Sequence, residues 1–94
     1  MGAVHAPEKP VIDPLRVFAE DVTGSKLIEL DGIDGHRKAS DVAQSLAGEL
    51  NLPLNTPWAI RDEKSARMLD DDLPLGQQVE QDARLTVIPR SHLG

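Results

Sequence analysis

Apolar and polar residues alternate one by one in four short stretches of the chain, and in a fifth the apolar residues recur every three or four positions. In "LRVFAED", Leu15, Val17 and Ala19 share one face while Arg16, Phe18 and Glu20 share the other, the period of a half-buried strand. "KLIELDGI" places Ile28 and Leu30 inward and leaves Lys26 and Glu29 to solvent. Between these runs lies "DVTGS", whose Gly24 can take a positive φ, so the pair predicts a β-hairpin. "DGIDGHRK" reads as a loop. In "ASDVAQSLAGEL", Ala39, Val42, Ala43, Leu46, Ala47 and Leu50 form one stripe of an amphipathic helix. Ser40 or a neighbour is its expected cap, Gly48 weakens its interior, and Pro53 and Pro57 prevent its continuation.

"PWAIR" predicts a third strand with Trp58 and Ile60 on one face, Ala59 and Arg61 on the other. "DEKSARML" holds a turn and a short strand ending at Leu69. "DDDLPLGQQV" is a loop with a helical turn that buries Leu73, Leu75 and Val79. "ARLTVIPR" is the last strand, with Leu85 and Val87 opposed to Thr86 and Ile88. The order β–β–α–β–(β)–β, with a single apolar face on the helix and alternating strands, predicts an α+β fold of one sheet on one helix. Residues 1–14 carry three of the seven prolines without sustained periodicity and read as a flexible leader; 15–90 form the domain and 91–94 a mobile tail.

Composition narrows the function. Ninety-four residues make one domain, which buries roughly 60–65% of its unfolded surface. Phe18 and Trp58 are the only aromatic residues, so the core is aliphatic. A net charge of −6 opposes binding to nucleic acid or anionic membranes and favours partners with basic faces. The chain has no cysteine, hence no disulfide, thiol nucleophile or zinc–thiolate site. No run approaches a membrane span and the N-terminus has no apolar signal core, so a cytoplasmic protein is expected. Asp70–Asp72 lacks the alternating spacing of a calcium loop. His5 has no partner ligands nearby for a metal, His36 and His92 have no nearby serine or cysteine arrangement for nucleophilic catalysis, and there is no phosphate-binding loop or dinucleotide fingerprint. Neither an enzyme nor a cofactor is expected.

Several features in order resemble the β-grasp fold of the ubiquitin family across residues 15–94. Thr23-Gly24 matches the Thr-Gly hairpin turn of ubiquitin, and Leu52-Pro53 its Ile-Pro-Pro stretch after the helix. Trp58-Ala59-Ile60-Arg61 stands where ubiquitin has Arg-Leu-Ile-Phe. The chain closes Arg84-Leu85-Thr86-Val87-Ile88-Pro89-Arg90-Ser91-His92-Leu93-Gly94, with Leu85 nine residues from the end, as is the corresponding leucine of ubiquitin. The resemblance departs at the second strand, in the longer loop at 63–75, and at Leu93, which replaces the penultimate glycine. It implies a mixed sheet whose first and last strands lie side by side, parallel, in the centre.

The resemblance also implies roles. Gly94, with no side chain and free φ/ψ, suits adenylation and acyl transfer through a narrow channel. Arg90, His92 and Leu93 are the residues expected to meet an activating enzyme. Val22, Ile60 and Ile88 fall at the aliphatic recognition patch, with Trp58 at its edge; alternatively Trp58 and Ile60 are core and Ala59 faces outward. Lys26, Lys38 and Lys64 are candidate acceptors of modification. The leading reading is a bacterial ubiquitin-like modifier with activating, conjugating and JAB-type deconjugating partners plus target proteins, a class associated with antiphage defence. The second is a non-conjugated interaction module such as a type VII secretion accessory protein, and the third a sulfur carrier.

Overall fold

The polar run after the first alternating stretch closes a tight turn on a single carboxylate. Asp21 accepts the Thr23 hydroxyl at 2.6 Å, the Thr23 amide at 3.0 Å and the Gly24 amide at 3.1 Å, while Gly24 takes φ +67°. The turn joins β1 (Leu15–Asp21) to β2 (Leu27–Ile33), paired antiparallel with Phe18 opposite Glu29. The computed structural model describes residues 10–90. β2 runs further than the sequence suggests, because Gly32 at φ +75° absorbs one extra residue as a bulge between the Leu15–Ile33 and Val17–Leu30 pairs.

Helix α1 (Ala39–Glu49) buries the expected stripe, and Leu50 behind it is 5% exposed. Its start differs from expectation. Lys38 is the N-cap, without a side-chain hydrogen bond, and Ser40 lies inside the helix. The first amides go to a distant loop: Ala39 N–H donates to the Leu73 carbonyl at 3.0 Å and Ser40 N–H to the Asp71 carbonyl at 3.1 Å. At the other end Asn51 takes φ +60°. Leu52 N–H then returns to the Ala47 carbonyl at 2.8 Å and Asn51 N–H to the Gly48 carbonyl at 3.1 Å, a Schellman motif that turns Leu52 onto the core.

The remaining elements are β3 (Trp58–Asp62), β4 (Arg67–Met68), a one-turn α2 (Leu75–Gln78) and β5 (Ala83–Pro89). The five strands form one sheet in the order β2-β1-β5-β3-β4. β1 and β5 run parallel in the middle, with Ala19 beside Leu85, and β5 pairs antiparallel with β3. The inward faces of these three strands meet α1 in one aliphatic core that includes Leu15, Leu46, Ile60, Leu75 and Leu85. Burying each such side chain stabilises the fold by roughly 1.5–3 kcal/mol. Leu75 and Val79 are buried as expected, but Leu73 is 43% exposed, because its carbonyl and not its side chain faces the helix. Among the described residues no helix is long and apolar enough to cross a membrane.

The domain begins earlier than residue 15. Ile12 packs against the core and its amide donates to the Gly76 carbonyl at 2.9 Å. Asp13 accepts the Gly35 amide at 3.1 Å, and the Gln81 side-chain amide donates to the Pro14 carbonyl at 2.7 Å. Residues 10–14 are therefore part of the domain, and of the expected leader only 1–9 lie outside the described residues. The docking requires glycine at two places. A Cβ on Gly35 would come within 1.8 Å of the Ile12 carbonyl oxygen, and one on Gly76 within 2.2 Å of the same atom.

Two measurements check this account. Gly35→Ala is expected to lower the stability measured by urea unfolding by about 2 kcal/mol or more. Gly48→Ala, on the exposed side of α1 with nothing within 4 Å of the new Cβ, should raise it by up to about 1 kcal/mol. For the hairpin turn, the Thr23 hydroxyl bond foremost, joined by backbone amides, holds the Asp21 carboxyl below its ordinary 3.8. A depressed folded value stabilises the turn fully above about pH 4, and the stabilisation is lost as the pH falls through that lowered value. The Thr23 and Gly24 amide resonances should titrate with a midpoint below 3.8 and cease to do so in Asp21→Asn.

Candidate functional site

Which residues reach the sheet's outer face follows from the parity of each strand. On β3, Trp58 fixes it: the indole N–H donates to the Pro53 carbonyl at 2.7 Å, and the Trp58 amide to the Gln44 side chain of α1 at 3.0 Å. Trp58 is thereby drawn inward at 7% exposure, and Ile60, two residues on, lies in the core at 1%. This corrects the expected patch. Neither Ile60 nor Trp58 belongs to it, and Ala59 occupies the outward position, paired with Ile88 on β5. Ala59 is itself fully covered, so it forms a floor and not a protrusion.

Val22 is 56% exposed at the head of the hairpin turn, and Ile88 is half-buried. Carried one step past the Asp21–Val87 pair, the β1–β5 register sets Val22 level with Ile88. The aliphatic surface on this end of the outer face is thus Val22, Leu27 and the half-buried Ile88.

The rest of that face mixes ion pairs with Phe18 and the exposed Leu27. Arg84 Nε lies 3.1 Å from Glu20 Oε1, and that hydrogen bond and charge hold the Arg84 guanidinium above its ordinary value. Arg16 Nε lies 2.8 Å from Asp82 and 3.4 Å from Glu29, with its guanidinium 5.6 Å from the Phe18 ring centre. The Thr86 hydroxyl donates to Glu63 at 2.6 Å. Lys26, Lys38 and Lys64 are all exposed. Lys64 Nζ lies 2.7 Å from Glu80, whose hydrogen bond and charge raise the lysine above its ordinary value.

The chain leaves the sheet from its centre. Arg90, directly after β5, donates its amide to the Pro57 carbonyl at 2.9 Å, and its guanidinium pairs with the Asp71 carboxylate. Beside it runs a shallow groove lined by Ser40, Asp41 and Gln44 of α1, by Leu54–Trp58 and by Asp71. His92, Leu93 and Gly94 lie outside the described residues. Asp71 had no functional signal in the sequence beyond its membership of an acidic run; its contact with Arg90 spans 19 positions. A second group that the sequence scatters comes together at Asp13, Asp34 and His36, whose donor atoms lie within 4.8 Å of one another. All three are exposed, and one oxygen of each aspartate already accepts a backbone amide.

No protein-family model and no curated protein matches the sequence. Solved structures do. A chain of the toluene 4-monooxygenase HD complex with the inhibitor 4-bromobenzoate superposes with a TM-score of 0.67 at 15% identity, over 80% of this chain and 96% of that one. The ubiquitin of Caldiarchaeum subterraneum gives 0.62 at 18% identity, over 81% and 92%. A ubiquitin-like domain from Arabidopsis thaliana gives 0.62 at 15% identity, over 96% and 92%. With its strand order and single long helix, the chain has the ubiquitin-like β-grasp fold.

Proposed function

We propose that this chain is a ubiquitin-like protein modifier of bacterial type, conjugated through Gly94. The Gly94 carboxylate attacks the α-phosphorus of ATP on an activating enzyme and displaces pyrophosphate. An enzyme thiolate then attacks the acyl-adenylate, releasing AMP and forming a thioester. After transfer to a conjugating-enzyme cysteine, a target amine takes the acyl group and frees the thiol. A JAB-type peptidase would hydrolyse the resulting amide with water, returning the free Gly94 carboxylate and the target amine. The observation that carries this reading is the placement of Arg90: β5 is central in the sheet, and the residue at its exit is fixed by Pro57 and Asp71. The four residues beyond can reach at most about 14 Å from that fixed point. That reach suits delivery of a small carboxylate into a partner's active site.

A second reading, a non-conjugated interaction module, is favoured by a different observation. Val22, Leu27 and Ile88 form an aliphatic end to a face rich in ion pairs, and Leu93 would crowd a channel shaped for two glycines. The two readings separate on incubation with ATP and a cognate activating enzyme. A modifier forms a hydroxylamine-sensitive thioester that is absent when Gly94 is deleted. A module forms none, and Val22→Asp abolishes its partner binding while the deletion leaves that binding intact.

A further inference from the structure

We propose that Asp71 is a positioning residue for Arg90: its carboxylate holds the guanidinium in place of the acidic group of an activating enzyme, which must displace Asp71 to take the arginine. This inference rests on the modifier reading above. Three features of the structure lead to it. Arg90 and Asp71 are a pair whose side chains remain 40% and 33% exposed, so a partner can reach both. The Arg90 backbone is held separately, by the Pro57 carbonyl, so the guanidinium can change partners without moving the exit of the chain. Asp71 is seated just as firmly, since its own carbonyl accepts the Ser40 amide at the start of α1.

The arrangement selects for partner chemistry. Arg90 is the one cation among the residues lining the adjoining groove, and Asp41 adds a second carboxylate there. A neutral acceptor offers the guanidinium less than Asp71 already does. A carboxylate that engages it through two parallel hydrogen bonds offers more. The internal pair therefore raises the threshold for engaging Arg90 and reserves that contact for a carboxylate of the partner.

Asp71→Asn removes the charge and keeps both the volume and the backbone carbonyl that serves α1. In the free protein, nitrogen NMR of the Arg90 guanidinium should show slower rotation about Nε–Cζ in the wild type than in Asp71→Asn, with Asp71→Glu restoring it. In thioester formation with ATP and a cognate activating enzyme, Asp71→Asn should lower KM for this chain about two- to fivefold. The value of kcat should stay unchanged, and Asp71→Glu should behave as wild type. Equal guanidinium rotation in wild type and Asp71→Asn, or a KM that rises or does not change, overturns the role of Asp71 while the modifier reading stands. A wild-type chain that forms no thioester overturns the modifier reading, and this proposal with it.

Discussion

The segment Asp70–Gly76 laid against residues 35–40 is the contact on which the rest of the architecture depends. Ala39 and Ser40 begin α1 with amides that no side chain caps, and this segment supplies their acceptors, the carbonyls of Leu73 and Asp71. Two further bonds continue the zipper, Leu75 N–H to the Arg37 carbonyl and Gly76 N–H to the Gly35 carbonyl, each 2.8 Å. Gly76 then takes the Ile12 amide, so three separate stretches of backbone meet where neither Gly35 nor Gly76 has room for a side chain. A helix end left without acceptors would carry unsatisfied donors into a part-buried place, at a cost of about 1–3 kcal/mol each. The same segment carries Asp71, so the element that completes the helix also fixes Arg90 at the exit of β5.

Much of this fold is legible in the sequence because it rests on periodicity. The alternation in β1 and β5 and the stripe on α1 name the core correctly, and Gly24 marks the turn between the first two strands. Parity on β3 was readable only as a choice. Trp58 and Ile60 are two large apolar residues on one face, and Ala59 is small enough to suit either side; the bonds from Trp58 to Pro53 and Gln44 decide it. Two other features leave no local trace. Residues 10–14 look like a leader because prolines break any period, yet the Ile12 amide and the Asp13 and Pro14 oxygens are all used. The helix start resembles a Ser40 cap because a serine near a helix start commonly serves there, whereas the acceptors lie more than thirty positions away.

The candidate surface differs from a ubiquitin-like patch at its centre. Ala59 takes the outward position beside Ile88 and is itself fully covered, so it offers a partner no apolar area. Hydrophobic stabilisation scales with the apolar area removed from water, so the contribution of this face comes from the exposed Val22 and Leu27 and the half-buried Ile88.

On the outer face, and at the exit of β5 beside α1, the arginines already meet acids of the same chain: Arg84 with Glu20, Arg16 with Asp82 and Glu29, Arg61 with Glu63, and Arg90 with Asp71 at the exit. Each pair is partly exposed, and such pairs contribute about 0–1 kcal/mol to stability, so the fold does not need them. Their consequence is for recognition. A carboxylate arriving on this face must compete with one in place, and an arriving cation meets a guanidinium beside every acid. Strong attraction over the paired region is therefore denied to partners of either sign. What remains is the apolar area of Val22, Leu27 and Ile88 at one end, together with the acid surplus of a chain carrying sixteen carboxylate side chains against ten basic ones. Long-range attraction favours a basic partner, and close contact favours one with apolar area to match; a partner that combines the two satisfies both constraints at once.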